Sequence, residues 1–482
     1  MSTIRERKFI FYASILCFFI KVLGNKKANR GGVKMVQAYD VIIIGSGPAA
    51  MAAAFPLAEA TKRVAVIEGN RFGGTCPNFG CDPKKMLYTR SEAAWQAGKL
   101  RGTGIEGTIS FNWEDAMKEK NTYTDSVYQE IEQSLKKANI DTYHGYASFI
   151  NEETVQVDHI TLSATTFIIA TGLMPSPLPF KGAETLLTNE AFLNLPSLPK
   201  SIAFIGGGYI SFEFAHLAAR AGANVHIIDS GHRGLKAFDQ DHVQALIKQS
   251  EALGITFHWN EEISSIESNA HDVTIKTDKQ TLTVDKAVHG AGRTPNIKKL
   301  NLEAANIHYD EAGIHVNNTL QSISNPRVYA AGDVTATHSL PLTPLSSHEG
   351  SVVVHNILEE QKQTLQQGAM PSVVFTIPKL AKVGKTKELL DQEGIAYDVK
   401  NTTMTDWLTY SMIKEDQALA KVYVCKKTGK ILGADFLTIY ADQWINLLSL
   451  AIQLELTTEQ LTSVHYTYPS VLGDSGNVLP IK

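Results

Sequence analysis

At 482 residues, with 44% hydrophobic and 20% charged side chains, the chain can build about three domains with well-filled cores. A formal net charge of −4 and only four cysteines speak against a nucleic-acid or anionic-membrane partner and against a disulfide-held scaffold. A soluble enzyme of a reducing, cytoplasmic compartment is expected.

Residues 1–34 differ in kind from the rest. Positions 9–20 form an apolar run of 12 residues between basic flanks, shorter than the roughly 17–25 residues of a membrane span and without a following A-x-A cleavage site. Met35 is the expected true start. Gly31 and Gly32 can be encoded as a bacterial ribosome-binding sequence just ahead of Val-Lys-Met, which would make the segment a translated leader. Its eight Lys/Arg against one acid would leave −11 on the remainder. Peptides from positions 1–34 in the native protein would sink this expectation.

Beyond Met35 comes AYDVIIIGSGPAA, an apolar strand over 41–44 that opens into G-x-G-x-x-A at Gly45, Gly47 and Ala50 before an alanine-rich helix. Gly45 permits the tight turn, and Gly47 lets a pyrophosphate approach the backbone at the helix N-terminus. The next apolar run, VAVIE, ends in Glu68, a little over 20 residues on, where a carboxylate can accept from a ribose 2′-hydroxyl. Strand, helix and acid together specify a dinucleotide site.

The stretch FGGTCPNFGCDPKK follows at once. It places Cys76 and Cys81 in a glycine-rich turn, with Lys84 and Lys85 behind them and a helix expected to start near Pro83. Cationic neighbours and a helix N-terminus both favour a reactive thiolate. Half of a zinc site is the weaker reading, because Cys17 and Cys425 stand alone and no metal site is expected. A purely structural disulfide fits poorly with so few cysteines. Cys425, in the alternating KVYVCKK, reads as a strand residue.

The dinucleotide pattern returns in KSIAFIGGGYISFEFAHLAARAGANVHIID, with a strand over 202–205, the turn at Gly206 and Gly208, and Asp229 as the closing acid. Ser211 takes the place of the third glycine. Two nucleotide folds flanking a cysteine pair imply electrons passing from one nucleotide through another to sulfur, which suits NAD(P)H and FAD. Asp229 favours NADH over NADPH, whereas Arg233 and Lys236 could answer a 2′-phosphate.

The chain after Met35 resembles the class I flavin disulfide reductases: glutathione reductase, dihydrolipoamide dehydrogenase and mercuric ion reductase. The resemblance rests on GGTCPNFGCDPKK, IIATG at 168–172, GGGYISFE at 206–213, GRTPN at 292–296, AAGDV at 330–334, LTPL at 342–345 and PSVVFTIPKLAKVG at 371–384. It implies an α/β fold with two Rossmann-like domains, for FAD and NAD(P), and a C-terminal α+β dimerisation domain. The implied boundaries are FAD domain 35–172 and 293–360, NAD(P) domain 173–292 and interface domain 361–482. A homodimer would complete each active site across its interface.

The resemblance also implies roles. Cys76 would attack the substrate and Cys81 would face the flavin. Lys84 or Lys85 would pair with Glu213, and Asp333 would bind the flavin ribitol. Further cofactor contacts would come from Gly74, Thr75, Ala170, Thr171, Gly172, Tyr209 and Gly292. One departure stands out: the family carries His-Pro-Thr-x-x-Glu near its C-terminus, and this chain reads SVHYTYPSVLGD. Tyr468 stands where the histidine belongs and Gly473 where its glutamate belongs. A tyrosine, titrating near 10, is a poor base but a usable proton donor; His465, three residues earlier, could substitute if the loop runs differently, and His348 has no assigned role.

The expected function is NAD(P)H-dependent reduction of a small disulfide such as glutathione disulfide. Reduction of a metal ion, Hg or Cu, or of another electrophile, is the alternative that Tyr468 motivates, since mercuric ion reductases resemble this chain in having tyrosine there. Their C-terminal cysteine pair is missing from NVLPIK. A nucleotide-binding module with little turnover is the third reading.

Overall fold

The structure, a computed structural model, describes residues 36–337 and 340–480; the expected leader lies outside the described residues. Strand Gln37–Ile44 is apolar on both faces over its second half because it runs through the middle of a sheet, with Val41 to Ile44 all buried. It pairs in parallel with Val64–Glu68, Val41 opposite Val64, and that strand pairs in turn with Asp141–His144. On its other side Ile160–Ile169 continues the sheet into the antiparallel strands Thr154–Val157 and Ala147–Asn151. Val328–Ala330 joins in parallel beside Ile160–Ile169, so a distant piece of chain completes the seven-stranded sheet.

Between these segments the chain builds a second parallel sheet of four strands, ordered Ile255–Trp259, Asn224–Asp229, Ser201–Ile205 and Lys286–His289. The chain enters and leaves this part through Leu173–Pro175 and Arg293–Pro295, which pair antiparallel as a two-stranded hinge. Here Ser211 is fully buried, and a Cβ at Gly290 would lie 2.1 Å from its hydroxyl oxygen. The missing third glycine is therefore answered by a glycine on the facing segment. The C-terminal part is a five-stranded antiparallel sheet, Ser372–Val374, Lys379–Gly384, Ile431–Thr438, Leu419–Cys425 and Tyr397–Thr403, covered by helix Ala441–Gln453. Cys425 closes one of these strands.

In each of these two sheets one strand, Gln37–Ile44 in the first and Ser201–Ile205 in the second, runs through a glycine turn into a helix, Pro48–Glu59 and Tyr209–Arg220. Gly45 has φ +102°, and a Cβ there would sit 2.3 Å from the Ala170 carbonyl oxygen. Both the backbone angle and the close approach demand glycine. Gly45→Ala is expected to destabilise the protein by at least about 2 kcal/mol, read as a lower Tm in thermal unfolding; an unchanged Tm would contradict this account of the turn.

Candidate active site

A cleft of about 420 Å³ runs from the first glycine turn to the cysteine pair. At one end, Glu68 closes its strand and accepts from Ser46 Oγ at 2.5 Å and from the Asn70 N–H at 2.8 Å. Asp229 does the same work in the second fold, accepting from the N–H groups of Gly207 at 2.5 Å and Gly231 at 2.6 Å. Each acid thus ties down its own glycine loop while keeping lone pairs for a ribose. Arg233 turns its guanidinium onto the Lys236 carbonyl at 3.1 Å within the same loop.

At the other end lie the sulfurs. Cys76 sits in the short helix Thr75–Phe79, and Cys81 is the first residue of helix Cys81–Lys99, two residues ahead of the start expected at Pro83. The two thiols shift each other's ionisation in opposite directions. Thr343, first residue of helix Thr343–Leu358, brings its hydroxyl 3.4 Å from Cys76 Sγ and 3.6 Å from Cys81 Sγ.

The two sulfurs differ electrostatically. Cys81 is pulled down to about 6 by the hydrogen bond from Cys76, with Thr343 and the charges of Lys84 and Lys85 adding to it against burial. Cys76 is pushed up, first by that same hydrogen bond and then by burial. The electrostatics therefore favour ionisation at Cys81 over Cys76.

Lys84 forms a buried ion pair with Glu213 Oε2. Burial works against the Lys84 ammonium, but the Glu213 carboxylate outweighs it and keeps the lysine charged. Lys85 does not meet Glu213: it points outward, its ammonium 4.5 Å from the centre of the Phe375 ring. Successive helix residues lie about 100° apart, so only one of two adjacent lysines can face the cleft.

Gly47, Gly74, Thr75, Ala170, Thr171, Gly172 and Tyr209 also line the cleft, whereas Ala50 is buried in its helix, Gly206 and Gly208 form the second turn and Asp229 closes strand Asn224–Asp229. Gly292 precedes Arg293, a residue the sequence reading did not single out. Arg293 donates to the Tyr209 hydroxyl at 2.7 Å and pairs with Asp333 at 3.6 Å. Burial raises the Asp333 carboxyl and Arg293 opposes that rise. Tyr468 is 78% exposed and His465 and His348 are exposed as well, and the hydrogen-bond partners of the sulfurs are Asp82 and Thr343 instead.

Residues 39–357 match the pyridine nucleotide-disulphide oxidoreductase model, and residues 370–474 match the dimerisation domain of the same group. The chain belongs to the pyridine nucleotide-disulphide oxidoreductases. It is 30% identical to a mercuric reductase of Staphylococcus aureus over 440 residues, covering 89% of this chain and 80% of that one. A glutathione reductase of Burkholderia cepacia is 27% identical over 446 residues, 90% of this chain and 96% of the other. Among solved structures, the HOCl-induced flavoprotein disulfide reductase RclA from Escherichia coli superposes with TM-score 0.83 at 26% identity, covering 91% and 99% of the two chains. A Cu(II) complex of RclA matches with TM-score 0.84 at 26% identity, covering 92% and 99%.

Members of this family are FAD-dependent and use NAD(P)H, and the cleft fits an FAD. A Cβ at Gly47 would meet nothing within 4 Å, leaving a bare backbone for a phosphate at the N-terminus of helix Pro48–Glu59. Thr171 Oγ1 is buried with no hydrogen-bond partner among the described residues, a polar atom facing a polar guest. No described helix is long and apolar enough to cross a membrane.

Because the Cys81 thiol is pulled down to about 6, its alkylation by iodoacetamide in the reduced enzyme is expected to slow as pH drops through about 6. Thr343→Val should move that midpoint upward; an unmoved midpoint would remove the hydroxyl from the account.

Proposed function

We propose that this chain is an NADH-dependent FAD disulfide reductase that passes electrons to the Cys76/Cys81 pair and on to a small disulfide such as glutathione disulfide. FAD, when bound, supplies the two-electron chemistry that links nicotinamide to dithiol. The observation that carries the reading is the pair of unequal thiols sharing one threonine hydroxyl beside the Lys84–Glu213 ion pair. The Cys76 hydrogen bond, with Thr343 and the charges of Lys84 and Lys85 adding to it, favours a thiolate at Cys81. Cys76, the sulfur that keeps its proton, is the one that attacks the substrate. Gly45, Gly47 and Glu68 hold the flavin nucleotide, with Asp333 at its ribitol; Gly206, Gly208 and Asp229 hold the nicotinamide nucleotide. Asp229 repels a 2′-phosphate, and Arg233 is committed to a loop carbonyl, which favours NADH over NADPH.

The enzyme works as a cytoplasmic homodimer. Leu450, Leu454 and Val464 are each at least half exposed, and together with Tyr468 they offer an apolar surface for a second copy in the C-terminal domain. In that dimer Tyr468 faces the other copy's cleft.

Reduction of a metal ion is the second reading, favoured by the likeness to mercuric reductases and by the tyrosine at position 468. Among the described residues no three His, Cys, Asp or Glu side chains gather into a metal-binding group, so the dithiol alone would have to receive the ion. Anaerobic titration with NADH and with NADPH, followed by glutathione disulfide, lipoamide, coenzyme A disulfide, Hg(II) or Cu(II), separates the two readings. NADH should reduce the protein and one disulfide should reoxidise it rapidly. Reoxidation by metal ions alone would overturn the disulfide reading.

A further inference from the structure

Among the described residues no histidine is hydrogen-bonded to Cys76, yet an acid stands close by. Asp82, in the first turn of helix Cys81–Lys99, places Oδ1 4.0 Å from Cys76 Sγ, the reach of a long S–H···O contact. Its other oxygen, Oδ2, accepts from the Tyr123 hydroxyl at 2.8 Å. Tyr123 comes from a different element, helix Trp113–Lys137. Burial and then the Asp82 carboxylate push the Tyr123 phenol up, so it keeps its proton and holds Asp82 by donation. An acid in a first helical turn ordinarily complements the helix dipole. This one is also clamped by a phenol from another helix, with its second oxygen turned to the sulfur.

Resting on the reading of Cys76 as the thiol that meets the substrate, we propose that Asp82, oriented by Tyr123, is the acid–base group of Cys76, taking its proton during attack and returning it to the departing thiol. The step balances. A bond forms between Cys76 Sγ and one substrate sulfur, the substrate S–S bond breaks, and the first product leaves as a thiol, protonated by the proton that Asp82 received from Cys76. The Cys81 thiolate then attacks Cys76 Sγ, closing the Cys76–Cys81 disulfide and expelling the second thiolate, which takes a proton from water. The electron pair that departs with the two products is the one supplied by NADH.

Other groups face this pair. Cys81 and Thr343 bear on Cys76, Lys84 and Lys85 bear on Cys81, and Glu130 bears on Tyr123. The hydrogen bond with Cys81 and burial raise the Cys76 thiol, and the Asp82 charge adds to that rise. Removing the charge should therefore make Cys76 easier to ionise while depriving it of its proton carrier.

That opposition supplies the test. In dithionite-reduced holoenzyme, Asp82→Asn should alkylate faster at Cys76 with iodoacetamide at neutral pH, scored by peptide mass. The same variant should be reoxidised by hydroxyethyl disulfide more slowly, on the order of 100-fold. Asp82→Glu should recover part of the rate, and Tyr123→Phe should lose less than Asp82→Asn. Reoxidation of Asp82→Asn within about twofold of the parent, far below the loss expected for a general acid–base group, would overturn the assignment. So would a parallel fall of both rates, the mark of a purely structural residue. Reoxidation that survives in Cys76→Ser would remove the underlying reading itself, and this assignment with it.

Discussion

Glu213 is the point where three parts of the chain meet. It is 2% exposed, far from the water that would solvate its charge. Lys84 of helix Cys81–Lys99 satisfies one oxygen, and the backbone N–H of Phe375, at the start of the C-terminal part, donates to the other at 2.8 Å. Glu213 itself belongs to helix Tyr209–Arg220 of the second dinucleotide fold. Removing one partner from a buried ion pair costs roughly 3–5 kcal/mol because the remaining charge is stranded. Three segments distant in sequence are therefore held in one relation to the cleft, with the cysteine helix anchored one turn below Cys81.

That anchor keeps the Lys84 charge on the Cys81 side of the pair and so adds to the difference between the two sulfurs. Cys81 lies on the cationic side, with the helix N-terminus and two lysines behind it, and Thr343 reaches both thiols from a third element. Cys76 lies on the acidic side, where Asp82 and Tyr123 meet. A symmetric pair would share charge equally. Here the proton is favoured on Cys76 and the negative charge on Cys81.

Much of this was legible in the sequence. The alternation of apolar strand, glycine turn and closing acid is local, so the two dinucleotide folds, Glu68 and Asp229 could be read directly, as could the cysteine pair. What the linear pattern cannot carry is helical phase and long-range approach. It offered Lys84 and Lys85 equally, and only the packing of helix Cys81–Lys99 against Tyr209–Arg220 turns Lys84 inward. Thr343 was visible as part of LTPL, yet its hydroxyl meets sulfurs 262 and 267 residues away. Asp82 was overlooked because it lies inside a motif read for its cysteines and lysines, and its partner Tyr123 lies 41 residues on in a helix with no motif of its own.

The central claim is that Cys76 and Cys81 are the groups through which reducing equivalents leave the protein. Alkylating the enzyme anaerobically before and after one equivalent of NADH, then mapping the added mass by peptide, tests it most directly. The account predicts that both cysteines are protected in the oxidised enzyme and both become alkylated after reduction, while Cys425 reacts the same in either state. Equal labelling of Cys76 and Cys81 before and after NADH would contradict it.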